Sequence, residues 1–388
     1  MTLAAREVCT GCSACTSICP RDAIAMEADS EGFLQPSINP SRCIECGLCR
    51  KTCPVLTITQ KNHDTPECFA FKTRDRELLR TSSSGGAFTS IAMPIIRAGG
   101  AVFGCVMGKP DFMPHHAMAE TETGLAQMRG SKYVQSDIRG AFRKCKSELE
   151  QGRQVLFSGT SCQIAGFKAF LGKEYGNLLT IDFICHGVPS PKVWQKYIDQ
   201  SQNRAKSKIN CISFRNKYYS WEKFSLSLSY DNDKLNSITP LDKDIYFKSF
   251  LGNYCLRRCC AACSFKPGRG SVSDITIADF WGIGEVHPEL FDEFGVSAVI
   301  VHTAKGMQAF NRSKGNAVVS PVSIDEITLH NPSYFNCVVV PKGRDFFMRH
   351  LDHVHSLGLL LAVAKRYPFA EWFMSYLARK ANGVMGKK

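Results

Sequence analysis

The sequence has no hydrophobic run long enough to cross a bilayer. Its longest apolar run, Leu357–Ala364, includes Gly358 and falls far short of the roughly 20 residues a span needs. Residues 1–19 hold no apolar core of a leader, so no secretory signal is expected and a cytoplasmic setting is the default. There is no G-x-G-x-x-G and no G-x4-G-K-[ST], so nothing supports a Rossmann dinucleotide site or a P-loop. No basic run interleaved with aromatics suggests a nucleic-acid surface. With 44% apolar and 21% charged residues, a disordered or collagen-like chain is excluded.

Cysteine is what the chain has in excess, with nineteen among 388 residues. A secreted disulfide scaffold would be short and would carry a leader. In a reducing compartment, regularly spaced cysteines point to metal. Residues 9–20 read C-T-G-C-S-A-C-T-S-I-C-P, and residues 43–54 read C-I-E-C-G-L-C-R-K-T-C-P. Both are C-x2-C-x2-C-x3-C-P, the spacing of two-cluster bacterial ferredoxins, in which the fourth cysteine ligates the other cluster. Three cysteines at i, i+3 and i+6 can wrap one side of a cubane, while the fourth leaves with its proline toward the other. The reading is therefore Cys9, Cys12, Cys15 and Cys53 on one [4Fe–4S] cluster, with Cys43, Cys46, Cys49 and Cys19 on the second. Gly11 and Gly47 suit the close backbone approach that aims N–H groups at sulfur. A pair of zinc knuckles fits two complete quartets poorly.

Charge is uneven. The formal net charge is +13, yet residues 1–60 carry five Lys/Arg (Arg6, Arg21, Arg42, Arg50, Lys51) against six Asp/Glu, or −1, which leaves +14 on the remainder. A basic body attracts an acidic redox protein or an anionic substrate; solubility alone is the plainer reading.

At about 150 residues per domain the length suggests two or three domains. Residues 1–60 form the two-cluster unit, 67–152 and 153–345 the two parts of a larger body, and 346–388 a helical basic tail. The polar stretch Thr59–Pro66 reads as a linker. Strands are expected at Glu67–Thr73, Ala101–Met107, Gln154–Phe157 and Leu178–Ile184, and helices at Ala87–Arg97, Asp137–Gln151 and Ser161–Leu171. Residues 210–300 look richer in strand, so the whole is called α+β: a ferredoxin-type domain followed by a mixed α/β body. Ser82-Ser83-Ser84-Gly85-Gly86, leading into a helix, can cradle a phosphate or simply cap the helix. In the tail, Phe369, Trp372, Phe373, Tyr376 and Leu377 share one helical face. Core or partner packing is expected there rather than peripheral membrane contact.

A further cysteine set lies in the body. Cys255, Cys259, Cys260 and Cys263 crowd into C-L-R-R-C-C-A-A-C, and Cys260-x2-Cys263 has ligand spacing. A third cluster would need two distant ligands. Cys162 and Cys185 are the best placed, because sites gather at strand carboxyl ends; a group of buried thiols is the alternative. Cys68, Cys105, Cys145, Cys211 and Cys337 are isolated and read as core.

Several stretches carry a resemblance: S-S-S-G-G-A-F (82–88), G-S-K-Y-V-Q-S (130–136), F-S-G-T-S-C-Q-I-A-G (157–166), C-H-G-V-P-S-P (185–191) and S-D-I-T-I-A-D-F-W-G (273–282). Over about residues 67–345 the chain resembles the coenzyme F-420 hydrogenase/dehydrogenase beta-subunit family, fused to a two-cluster ferredoxin. The resemblance implies a flavoprotein that binds FAD beside a [4Fe–4S] cluster. Ser83, Ser84, Gly85 and Gly86 would hold the flavin phosphates. Lys132, Tyr133 and Gln135 would line the cofactor, with Ser158, Gly159 and Thr160 meeting it at a strand end. Cys162, Cys185, Cys260 and Cys263 would ligate the third cluster. Ser161 stands where that pattern has Pro, and Arg258-Cys259 where it has Pro-Ser, which leaves Cys255 and Cys259 as rival ligands. Asp279 would orient the flavin or cap a turn. His186 would donate a proton or serve a structural hydrogen bond.

The expected function is an iron–sulfur flavoprotein oxidoreductase. A reduced ferredoxin or flavodoxin feeds electrons through the clusters to FAD, which passes hydride to a small-molecule substrate or a deazaflavin coenzyme. The alternative is an electron-transfer subunit with no substrate site of its own. Whether the chain forms a homo-oligomer is left open.

Overall fold

The computed structural model describes residues 3–57, 62, 64–232, 236–367, 369 and 372. Residues 59–61 and 63 of the polar stretch lie outside the described residues, as does the tail's aromatic face apart from Phe369 and Trp372. Those two are exposed, with ring centroids 5.8 Å apart.

The N-terminal domain is small. An antiparallel hairpin of β1 (Ile24–Ala28) and β2 (Leu34–Ile38) separates the two short helices Ala14–Ile18 and Leu48–Lys51 that follow the cysteine turns. Its apolar core is thin, as expected when cofactor ligation replaces a hydrophobic core.

The body is built on one eight-stranded sheet. Its strands are β3 (Glu67–Thr73), β4 (Ala101–Met107), β5 (Pro114–Ala119), β6 (Val155–Ser158), β7 (Leu178–Phe183), β11 (Ile275–Asp279), β12 (Ser297–Val301) and β13 (Ala317–Val322), in the order β13-β3-β12-β11-β7-β6-β4-β5. The central four, β4, β6, β7 and β11, are parallel. β5, β12 and β13 run against their neighbours. The sheet crosses the expected boundary at 152/153, because β3 and β4 join strands from both sides of it. Helices cover both faces. Phe142, Phe157 and Phe167 pack with Ala14 of the N-terminal domain on one side, and Ile91, Leu125 and Phe310 lie on the other.

A three-stranded antiparallel sheet, β8 (Ile209–Asn216), β9 (Ser225–Tyr230) and β10 (Asn236–Pro240), packs against the helices Pro191–Ala205, Ile245–Leu251 and Leu357–Lys365 around the buried Trp194, Phe214, Tyr246 and Phe247. These two sheets are the mixed body the sequence suggested. The carboxyl ends of β6, β7 and β11 share one edge, and the residues of interest gather there.

The two domains are bonded together. Arg344, 1% exposed, pairs with Glu31 at 2.6 and 3.0 Å. Arg143 donates to the carbonyls of Ser17, Thr16 and Cys19. The Ser190 hydroxyl donates to Glu31 O.

Candidate functional site

The eight N-terminal cysteines line two cavities. One cavity is lined by Cys9, Cys12, Cys15 and Cys53, the other by Cys19, Cys43, Cys46 and Cys49. The sharp turns begin at left-handed residues, Gly11 at φ +68° and Gly47 at φ +76°, a region open to glycine at no steric cost. Gly11 N donates to Cys9 Sγ at 3.4 Å, and Ala23 N to Cys19 Sγ at 3.3 Å. Such N–H groups favour charged sulfur over thiol.

Among the described residues no three His, Cys, Asp or Glu side chains converge on a single-ion position. The sulfurs ring a cavity, the arrangement a cubane needs, so the residues fit a [4Fe–4S] group better than zinc. Burial pushes the Cys12 thiol up to about 11. Burial, and then repulsion from Cys12, Cys9 and Cys53, pushes Cys15 further. Bare Cys12 and Cys15 keep their protons at neutral pH, so iron must displace those protons to bind there.

A third group lies where β6 and β7 end. Cys162 opens the helix Ser161–Leu171, Cys185 follows β7, and Cys260 and Cys263 flank a short helical turn. Burial raises the Cys162 thiol, and Cys263, Cys185 and Cys260 add to the rise. Burial lifts Cys185 to about 12, again with Cys260 and Cys263 close by. Cys260 is lowered by the hydrogen bond from Cys259, by Val188 N at 3.4 Å, and by the charges of Arg257 and Lys266. These four sulfurs belong together. Cys259 also bonds Cys260 and feels Cys162. Cys255 is fully buried beside Tyr246 and Arg344, with no cysteine acting on its thiol. The remaining cysteines are not uniformly core. Cys211 is exposed, and half-buried Cys337 donates to Cys263 O at 3.5 Å beside the third group.

Arg257 joins the groups. Only 2% exposed, it donates Nε to Cys9 O at 2.7 Å and both Nη atoms to Leu34 O at 3.0 Å. Its own carbonyl accepts from Cys260 N. On the other side, a Cβ on Gly166, in the helix that Cys162 opens, would stand 2.7 Å from Cys12 Sγ. The first quartet is pressed against the third group.

Residues 8–56 match the 4Fe-4S dicluster domain. Residues 152–326 match the family described as the C terminus of the coenzyme F420 hydrogenase/dehydrogenase beta subunit. The chain thus carries a segment that matches the 4Fe-4S dicluster domain, followed by one that matches the C-terminal part of the F420 hydrogenase/dehydrogenase beta subunit. These matches relate it to electron-transfer iron–sulfur proteins. The dicluster part is 33% identical over 60 residues to an uncharacterized polyferredoxin-like protein of Methanocaldococcus jannaschii, covering 13% of this chain and 36% of that one. It is 36% identical over 66 residues to Ferredoxin-1 of Caulobacter vibrioides, covering 16% of this chain and 54% of that one. The chain therefore spans about a third to about half the length of these curated relatives. A chain of the F420-reducing [NiFe] hydrogenase complex from Methanosarcina barkeri, solved as a xenon derivative, superposes with a TM-score of 0.48 at 17% identity, covering 72% of this chain and 90% of that one. Among the described residues no helix is long and apolar enough to cross a membrane.

The residues expected around a flavin divide between places in the body. Ser83, Tyr133 and Asp279 meet at Arg215, which arrives from β8. Arg215 donates to Asp279 at 2.6 and 3.0 Å, to Tyr133 Oη at 3.2 Å and to Ser83 O at 3.0 Å. It lies over the rings of Phe224 and Trp281, and its buried Nε has no partner. Trp221 Nε1 also donates to Asp279. Lys217 Nζ donates to the carbonyls of Leu79, Ser84 and Phe294, and burial lowers it to about 7.

Ser84 Oγ is taken by Val296 O at 2.6 Å, and Gly85 packs so closely on Phe71 O and Ser297 N that any Cβ would collide. Both hold the turn to the sheet. Gly86 opens the helix Ala87–Arg97 in the left-handed region. Lys132 Nζ donates to the carbonyls of Gln127, Met128 and Arg129 at a helix end, and burial lowers it to about 8. Gln135 lies elsewhere: its Oε1 accepts from Leu34 N and its amide faces Gly11, at the joint with the dicluster domain. Ser158, Gly159 and Thr160 end β6 beside the third group, with Thr160 Oγ1 3.1 Å from Cys162 Sγ. His186 Nε2 lies 2.7 Å from Asn253 Oδ1, and burial lowers its pKa.

Sequence reasoning missed Arg215, Lys217 and Arg257. Each gains its meaning from a partner far along the chain.

Proposed function

We propose that this chain is a cytoplasmic, ferredoxin-linked iron–sulfur flavoprotein oxidoreductase. Electrons arrive singly from a reduced acidic carrier, cross the dicluster domain to a third [4Fe–4S] group on Cys162, Cys185, Cys260 and Cys263, and leave as hydride to a small substrate. The carrying observation is the contact of Cys12 with Gly166, which backs the first quartet onto the helix of Cys162. FAD, when bound, would supply the conversion between one-electron and two-electron chemistry.

For the flavin the reading rests on this chain's polar groups. Arg215 keeps a buried, unpartnered Nε, and Lys217 stands beside it under the Ser83-Ser84 turn. Buried Arg215 and half-buried Lys217 face Asp279, while Asp292, also near Lys217, is held by Lys72 and Arg76; this balance suits a group with negative charge. Ser83, Gly86 and Tyr133 would complete that wall, and Lys132 would add charge beside it. Ser158, Gly159 and Thr160 would bring the cofactor's other end near the third group. His186, fixed by Asn253 and held neutral by burial, would hold the proton that accompanies hydride transfer.

A second reading has its own support. Asp279 is bound by Arg215 and Trp221, and His186 by Asn253. With both so engaged, the chain can act as a relay that passes electrons to another protein. The deciding experiment is flavin released per chain from anaerobically purified protein, followed by turnover with added substrates. One FAD per chain and turnover by the chain alone support the enzyme. One FAD without turnover favours the relay. No flavin after reconstitution defeats the flavoprotein reading.

A further inference from the structure

We propose that electrons enter through the Cys19, Cys43, Cys46 and Cys49 quartet, on a face built to dock an acidic one-electron carrier protein. This rests on the reading of the chain as an electron-transfer protein and adds where, and by what chemistry, the donor binds.

The quartet opens outward. Cys46 is exposed, whereas Cys9 and Cys12 of the other quartet are buried. Ile44 is 58% exposed and Leu48 39%, and both line the cavity of this quartet together with Arg21. Apolar side chains at this position shed water when covered and would seal the path around the exposed sulfur. Arg21 lines the same cavity, and Arg42, Arg50 and Lys51, each within three residues of Ile44 or Leu48 in sequence, are exposed as it is. None of the four forms an ion pair among the described residues. Of the nearby acids, Asp22 is held by Arg143 at 2.7 Å. Arg21, Arg42, Arg50 and Lys51 are four of the five Lys/Arg among residues 1–60. The fit is a protein with a carboxylate ring around its own exposed redox centre. One electron leaves that centre, which is oxidised, and the group held by this quartet is reduced; no bond forms and no proton moves.

The general basicity of the body is the rival cause of attraction, and the experiment separates the two. The full chain with its clusters loaded is mixed in stopped flow with a photoreduced acidic bacterial two-cluster ferredoxin, at low and at physiological salt. Wild type, the face variant Arg42→Glu/Arg50→Glu and the body variant Arg204→Glu/Arg312→Glu are compared, each rate divided by that with a small chemical reductant. On the proposal the face variant falls at least about tenfold at low salt and loses most of its salt dependence, while the body variant matches wild type. Ile44→Ser, which changes no charge, lowers the ratio at both salts alike. Equal loss in face and body variants, or none in the face variant, overturns the docking site. If the small reductant reduces the wild-type chain and the ferredoxin does not, the acidic carrier is wrong and the electron-transfer reading survives. If neither reduces the bound iron, that reading fails too.

Discussion

The dicluster domain repeats one motif in two settings. Both quartets have the same spacing, the same two left-handed positions (Gly11 and Ser13 in one, Glu45 and Gly47 in the other) and the same exchanged fourth cysteine. Yet one is walled in by Gly166, Arg257 and the body's aromatic layer, and the other shows Cys46, Ile44 and Leu48 to solvent. A repeat that is symmetric in sequence thus gains an inside and an outside only through what packs on it. Function follows the packing, because a buried centre can serve only its neighbours and an exposed one can meet a partner.

The largest expected effect is on iron. Cys53→Ser removes the group in the buried cavity and Cys19→Ser the one in the open cavity, each sparing the other, because the fourth cysteines cross over. Iron content and low-temperature EPR of the two variants check this. If Cys53→Ser instead empties the open cavity, the exchange is wrong. Next is the joint. Arg344→Met leaves Glu31 without its close partner at a cost of about 3 kcal/mol, the low end for a broken buried pair. Arg258 and Arg6 still approach Glu31 at 3.6 and 3.8 Å. Denaturant unfolding followed by aromatic fluorescence measures it.

Acid should part the two domains. Burial lowers His302 in the body to about 4, and His116 likewise, whereas residues 1–57 contain no histidine. An unfolded chain takes up those protons near 6.5 and the folded body refuses them until about 4. The stability they contribute is therefore full above about 6.5 and drains away as pH falls toward 4, by roughly 3 kcal/mol for His302 alone. His302→Asn should flatten that slope; an unchanged slope would place the acid sensitivity elsewhere. Smaller still is Gly166→Val, whose Cβ meets Cys12 Sγ at 2.7 Å. Overpacking of this kind costs about 1–3 kcal/mol, and the EPR signal of the buried quartet should shift while the exposed one stays. Smallest is Ile44→Ser, which should leave folding stability within about 0.5 kcal/mol of wild type.

Local punctuation carried much of this architecture in the sequence. Glu67–Thr73, Ala101–Met107, Ala87–Arg97 and Ser161–Leu171 form as the pattern suggested, bounded by Gly99-Gly100 and Gly172. The helix expected from Asp137 begins instead at Ala141, because Gly140 turns left-handed and Asp137 is drawn into a bridge with His115. The cysteine quartets were legible because ligand spacing is local. Arg215 was not. It ends an ordinary strand, and only folding sets it against Asp279, 64 residues away. Cys337 escaped for the same reason, being brought to Cys263 by a loop 74 residues further on. Arg257 was hidden among cysteines that drew the eye.

The joint made by Arg143, Arg257 and Arg344 has a kinetic consequence. A free ferredoxin must find its acceptor anew at every cycle, at a rate set by concentration and ionic strength. Here carrier and acceptor share a chain and are tied at backbone carbonyls on either side of the gap. On the proposed route, passage from the dicluster domain to the body would therefore be first order, indifferent to dilution and to salt. Only the encounter at the proposed outer face would remain open to competition, and supply to this protein could be regulated there.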